Sequence, residues 1–128
     1  APNTNSDMLT KGVLRDRAKA IYRGLIHITR EAQKSVGMQK ADTLLLNPGT
    51  EADAVPSLEI DNSDVKCSHG SSIGQIDKEK MFYLFSRGLS EEEAMRQIVR
   101  GFFEPLAMKI ADTHLQEELR KMIEVKLQ

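Results

Sequence analysis

"DVKCSHGSSIGQIDKEKMFYLFSRG", Asp64 to Gly88, spans the point at which the chain changes character. Up to Asp77 the sequence reads as short β-favouring runs separated by turn residues. Beyond Asp77, apolar residues recur at helical spacing. Asp77 is suited to cap a helix, because its carboxylate accepts from the free N–H groups of the first turn. Met81, Leu84 and Phe85 then fall on one helical face, and Phe82 widens it. Gly88 stands where a helix C-terminus favours a left-handed residue. The reading is mainly β followed by α, with a β part over 1–76 and a helical part over 77–128.

Downstream, Ser90 with Glu93 forms a capping box, and the glutamates 91–93 complement the positive end of a second helix. Ala94, Ile98 and Phe102 make its inward stripe. Pro105 is predicted in the first turn of a third helix. Leu115, Leu119, Met122 and Ile123 continue an apolar face. Upstream, "AIYRGLIHI" (Ala20 to Ile28) is the clearest strand, with Tyr22, Gly24, Ile26 and Ile28 on one face. Thr43 to Leu46 is a short apolar run ended by Asn47, Pro48 and Gly49. Ser57 to Ile60 follows Pro56, and Val65 to Ser68 resumes after the turn cluster Asp61 to Asp64. Gly12–Leu14 and Ser35–Met38 are weaker strands. Short strands at this spacing suit a sandwich, a barrel or a solenoid, and no strict sequence repeat chooses among them.

The chain has 128 residues, 40% apolar and 29% charged, with formal net charge −1 and one cysteine. That is a globular composition with room for one domain or two small layers. No basic excess holds nucleic acid or an anionic membrane surface, and no apolar run is long enough to span a membrane. One cysteine excludes an internal disulfide and fits a reducing compartment, most simply the cytosol. The chain opens on Ala1 without an initiator Met, and a fragment or processed chain is expected.

Cys67 and His69 are two residues apart, so on a strand both point to the same face. Thiolate and imidazole together suit zinc or iron, but two ligands do not close a site. A Cys–His dyad would need an orienting third group, and no motif supplies one. The alternative is a packed strand end, since free cysteine is among the most buried residue types. "HGSSIG" lacks the lysine and spacing of a phosphate loop, and Gly70 and Gly74 are read as relieving strain between strand and helix. Residue types alone leave a β-plus-helix protein with no catalytic constellation, and no enzymatic activity is expected.

The run "EADAVPSLEIDNSDVKCSHGSSIGQIDKEKMFYLFSRGLSEEEA", with "KGVL", "YRGLIHI", "QKADTLLL" and "RQIVRGFFEPL", resembles the SufB/SufD family of iron–sulfur cluster assembly scaffolds over about Ser6 to Ile110. The resemblance implies the end of a right-handed parallel β-helix, about 1–76, followed by a small C-terminal helical domain, about 77–128. It implies a non-enzymatic scaffold that pairs with a SufB/SufD-type paralogue or with itself, and whose helices dock a SufC-type ATPase. Met81, Phe85 and Phe102 are the candidate docking residues. Strand backbone near Leu44–Leu46 or Leu58–Ile60 is the candidate pairing edge.

Within the family, the SufB type carries a cysteine at the position of Ala41 and a glutamate at that of Gly70. "CSHG" is SufD-like. His69 is therefore the candidate metal ligand, shared at a partner interface, with Cys67 as its neighbour. The isolated chain is expected to bind no cofactor, and an iron–sulfur cluster is expected only in the complex. The alternative is an ATPase-docking adaptor with no part in cluster or metal binding.

Overall fold

Five strands of ten residues alternate between two sheets in the computed structural model, which describes residues 1–127. They are β1 (Asn5–Leu14), β2 (Lys19–Ile28), β3 (Val36–Leu45), β4 (Glu51–Ile60) and β5 (Lys66–Gln75). One sheet has the order β1-β3-β5 and the other pairs β2 with β4. Three helices follow: α1 (Lys78–Ser86), α2 (Glu91–Ala107) and α3 (Thr113–Lys126). The chain divides into two compact units, Ala1–Gly74 and the residues from Gln75 onward.

The strands are parallel, and their register sets the first unit. Asn5 lies opposite Val36 and Leu14 opposite Leu45. Lys19 lies opposite Glu51 and Ile28 opposite Ile60. Side chains repeat this spacing outside the ladders. The Thr4 N–H donates to Ser35 Oγ across 31 positions, and the Asp16 N–H donates to Asn47 Oδ1 across 31. Asn62 Nδ2 donates to the Arg30 carbonyl across 32. β5 continues the series. The Lys66 N–H donates to the Ser35 carbonyl just as the Val36 N–H donates to that of Thr4. At the far end the Ser72 hydroxyl donates to Asp42 Oδ1 at 2.7 Å, 30 positions away. Gly37, Gln39 and Asp42 therefore stand opposite Cys67, His69 and Ser72.

The predicted face of β2 is the inward one: Ile26 and Ile28 are buried, and Ala32 joins their cluster. On β3, Gly37, Gln39 and Ala41 turn inward. Gln39 crosses the interior, and its Nε2 donates to the Tyr22 hydroxyl at 2.9 Å. Gly24 makes room for it: a Cβ there would lie 1.8 Å from Gln39 Nε2 and 2.5 Å from the Tyr22 oxygen.

The strands are longer than the sequence suggests. β3 joins two predicted runs through Gln39, Lys40 and Asp42: the Gln39 amide nitrogen and the Asp42 carboxylate bond to other strands, and Lys40 pairs with Asp42. β4 begins at Glu51 and carries Pro56 within it. The Glu51 N–H points to β2, so by alternation the missing N–H of Pro56 falls on the open edge of its sheet, where proline is tolerated. Gly70 and Gly74 lie inside β5, not in a passage to the helix, and nothing approaches the space beside either. Leu44 and Leu45 belong to a central strand, so their backbone is already paired; β4 keeps one open edge.

In the helical unit the caps are as read. Asp77 accepts from the Glu79 and Lys80 N–H groups, and the Ser90–Glu93 capping box forms. Gly88 has φ +89°. The third helix starts later than predicted: Pro105 lies inside α2, and Asp112 caps α3. Pro105 has no N–H to give the carbonyl of Gly101, and it lies in the last turn of α2. Val99, 1% exposed, is the anchor of α2, a burial contributing about 1.5–3 kcal/mol. Ion pairs join α2 to α3: Arg120 Nη2 lies 2.6 Å from Glu104 Oε1, and Arg100 forks onto Glu124.

Two outcomes test this packing. Gly24→Ala is expected to destabilise the chain by about 1–3 kcal/mol in urea unfolding through overpacking. Gly70→Ala is expected to stay within about 0.5 kcal/mol. The second concerns acid. Arg120 holds Glu104, and Arg100 holds Glu124, below the usual 4.5. The Ser90 backbone N–H and then its hydroxyl do the same for Glu93. Depressed carboxylates add stability above the unfolded value and lose it as pH falls through the folded values. Melting temperature is therefore expected to fall from about pH 5 to about pH 3, less steeply in Glu104→Gln.

Candidate functional site

β5 is an edge strand of its sheet, and among the described residues the facing sheet has no strand after β4. Its inward residues meet different surroundings along its length. Cys67 joins the apolar cluster of Ile26, Ile28 and Ala32, and its Sγ lies 3.2 Å from where a Cβ on Gly37 would stand. His69, on the same face, is exposed. The strand thus sets the two side by side in sequence but separates their roles: the thiol packs, and the imidazole faces out.

The three histidines differ in one respect. His27 Nε2 lies 3.1 Å from Asp61 Oδ2, and His114 Nε2 lies 3.5 Å from Glu118 Oε1. The His69 ring makes no hydrogen bond or ion pair among the described residues. Its neighbour across the ladder is Gln39, 2% exposed, whose Oε1 is buried and without a partner. Ala41, two residues further along the inward face, is 3% exposed. Among the described residues no three of His, Cys, Asp and Glu converge on one point. Neutral imidazole with an open nitrogen can ligate a soft or borderline metal, and the chain supplies one such group here.

Along β3 and β5 runs an open cleft of about 450 Å³, lined by Met38, Lys40, Asp42 and Ser72 and also by Gln39 and His69. Asp42 is 8% exposed. Burial acts to raise its carboxyl, but the Ser72 hydroxyl and the Lys40 ammonium, 3.3 Å away, hold it below its usual value. This carboxylate is satisfied, and it fastens β5 to β3. Periodicity did not flag Gln39 or Asp42, because both are polar residues in a strand. Only the register reveals that Gln39 shares a row with His69.

The helical candidates have mixed placements. Met81 and Phe102 are half-buried, and Phe102 packs edge-on against Phe103 with centroids 5.4 Å apart. Phe85 is 42% exposed, with Phe82 at 73% and Tyr83 at 55% beside it.

Residues 1–102 match the family described as "SUF system FeS cluster assembly, SufBD core domain". The chain belongs to the SufBD family. Similar relatives include an "Iron-sulfur cluster assembly SufBD family protein" of Staphylococcus saprophyticus, 37% identical over 110 residues. That match covers 86% of this chain and 24% of the relative. A protein of the same description from Mycobacterium bovis is 36% identical over 128 residues, which are all of this chain and 15% of the relative. The chain thus spans a quarter or less of the SufBD proteins it matches. No helix among the described residues is long and apolar enough to cross a membrane.

The different settings of the two β5 residues are open to test. Cys67→Ser is expected to lower stability by about 1–3 kcal/mol, because it puts a hydroxyl into an apolar cluster. His69→Ala is expected to cost about 1 kcal/mol or less, because the ring is exposed and can lose at most one net hydrogen bond. Denaturant midpoints measured on both variants check the contrast.

Proposed function

We propose that the chain is a non-enzymatic, SufD-like scaffold piece in iron–sulfur cluster assembly, and that His69 donates one imidazole to a site shared with a SufB-type partner. The cluster is cargo, assembled across the interface and passed on. The observation that carries this reading is the His69 ring: unpartnered, exposed, and on the edge strand of its sheet. A shared site needs such an incomplete ligand set, and a partner strand laid against β5 would complete it. The five parallel strands support a further step, that they are the last turns of a right-handed parallel β-helix. Crossovers between parallel strands of one sheet are nearly always right-handed. The family points to the cytoplasm as the setting.

We further propose that the helical unit docks a SufC-type ATPase. Phe82, Tyr83 and Phe85 expose aromatic surface on α1, where an apolar partner face would be buried with gain. The same surface favours the second reading, an adaptor that only docks the ATPase. The two readings part at His69.

The test is reconstitution with iron, sulfide, a SufB-type partner and the ATPase, followed by visible absorption of the cluster. His69→Ala is expected to reduce cluster yield about tenfold or more while the complex still assembles. An unchanged yield would remove His69 from the site and leave the adaptor reading. Deletion of residues 77–128 is expected to abolish ATPase binding in sedimentation; retained binding would contradict the docking assignment.

A further inference from the structure

We infer that Gln39 is the positioning residue for His69, holding its imidazole in one tautomer so that the other ring nitrogen presents a lone pair outward. The inference rests on His69 having the role proposed above, and its physical basis is independent of any partner.

Backbone bonds put Gln39 directly opposite His69. The Lys66 N–H donates to the Ser35 carbonyl on one side of this pair, and the Ser72 hydroxyl reaches Asp42 on the other. Gly37 and Cys67, the preceding inward pair, confirm the register by their closeness. Directly opposed residues have Cβ atoms about 5 Å apart, within reach of a glutamine and a histidine.

Gln39 is not free to move. Its amide nitrogen is spent on the Tyr22 hydroxyl at 2.9 Å, and its side chain lies in the space that Gly24 leaves open. That fixes the other end of the amide. Oε1 is buried and accepts from no group among the described residues. An orphaned buried acceptor requires an explanation, because leaving it unpaired is costly. The only side chain with unused N–H capacity directly across the ladder is His69, whose ring has no partner of its own. Met8, on the other side of Gln39, has no N–H to give.

A rotation of His69 toward β3 satisfies both groups at once. The ring N–H donates to Oε1, and the remaining nitrogen is necessarily the unprotonated one. This is the arrangement by which an acceptor behind a histidine fixes tautomer and ring orientation for ligation. Gln39 touches no cargo in this scheme. It acts through His69.

The experiment is long-range ¹⁵N correlation spectroscopy of the His69 ring in the chain, at about pH 8, where imidazole is neutral. The tautomer ratio is expected to change about fivefold between wild type and Gln39→Leu, the effect of one net hydrogen bond. Gln39→Glu, which keeps an acceptor in place, is expected to retain the wild-type preference. A ratio unchanged in folded Gln39→Leu overturns the inference. Should that variant fail to fold, the wild-type chain decides: a nuclear Overhauser contact between the Gln39 side chain and the His69 ring is expected, and its absence overturns the inference. Cluster reconstitution separates this from the reading it rests on. A held ring with no loss of yield in His69→Ala keeps the positioning and removes the function. A free ring with lost yield removes the positioning alone.

Discussion

The parallel backbone ladder, with each strand displaced from its partner by 30 to 32 residues, is the constraint on which the first unit depends. A one-residue slip would turn every inward side chain outward. Turn contacts pin the register as well as the strands do. Asn47 grips Asp16 through both ends of its amide, and Asn62 reaches back to Arg30. Inside, the same register brings Gln39 over Gly24 and beside Tyr22, so one polar bond spans the two sheets. The core around it is small, which makes the fit of Gly24 and the satisfaction of each polar group matter more.

The helices were legible in the sequence because their signals are local. Asp77, Gly88 and the Ser90–Glu93 pair each act within one turn, and each does in the structure what its spacing implies. β2 was legible because its inward residues alternate cleanly. β3 and β4 were read too short for a physical reason. Gln39 and Asp42 are buried polar residues whose partners, Tyr22 and Ser72, lie 17 and 30 positions away. No local rule pairs them. Pro56 reads as lying before a strand, and it lies inside β4, with its missing N–H on the open edge. Pro105 read as a helix start, and it lies instead in the last turn of α2. The two-sheet repeat was hidden because it is a repeat of register and not of residues.

Cys67 and His69 show why a spacing alone could not decide the candidate site. Two residues apart on one face, they differ in what stands opposite them. Ile26 and Gly37 stand beside the half-buried sulfur, while the ring is exposed. The proposed chemistry uses that difference: a half-buried thiol packed against the core and an imidazole offered to a partner. Membership of the SufBD family ties the chain to iron–sulfur cluster assembly, and the unpaired ring is what the proposed role of His69 rests on.

The central claim is that His69 contributes a nitrogen ligand to a cluster shared with the partner. Pulsed electron paramagnetic resonance tests it most directly. The chain would be labelled with ¹⁵N-histidine, paired with unlabelled SufB-type partner, reconstituted with iron and sulfide, and reduced to the paramagnetic state. We expect a strong ¹⁵N coupling that disappears in His69→Ala. A cluster with no ¹⁵N coupling from the labelled chain, or one whose coupling survives His69→Ala, would contradict the claim.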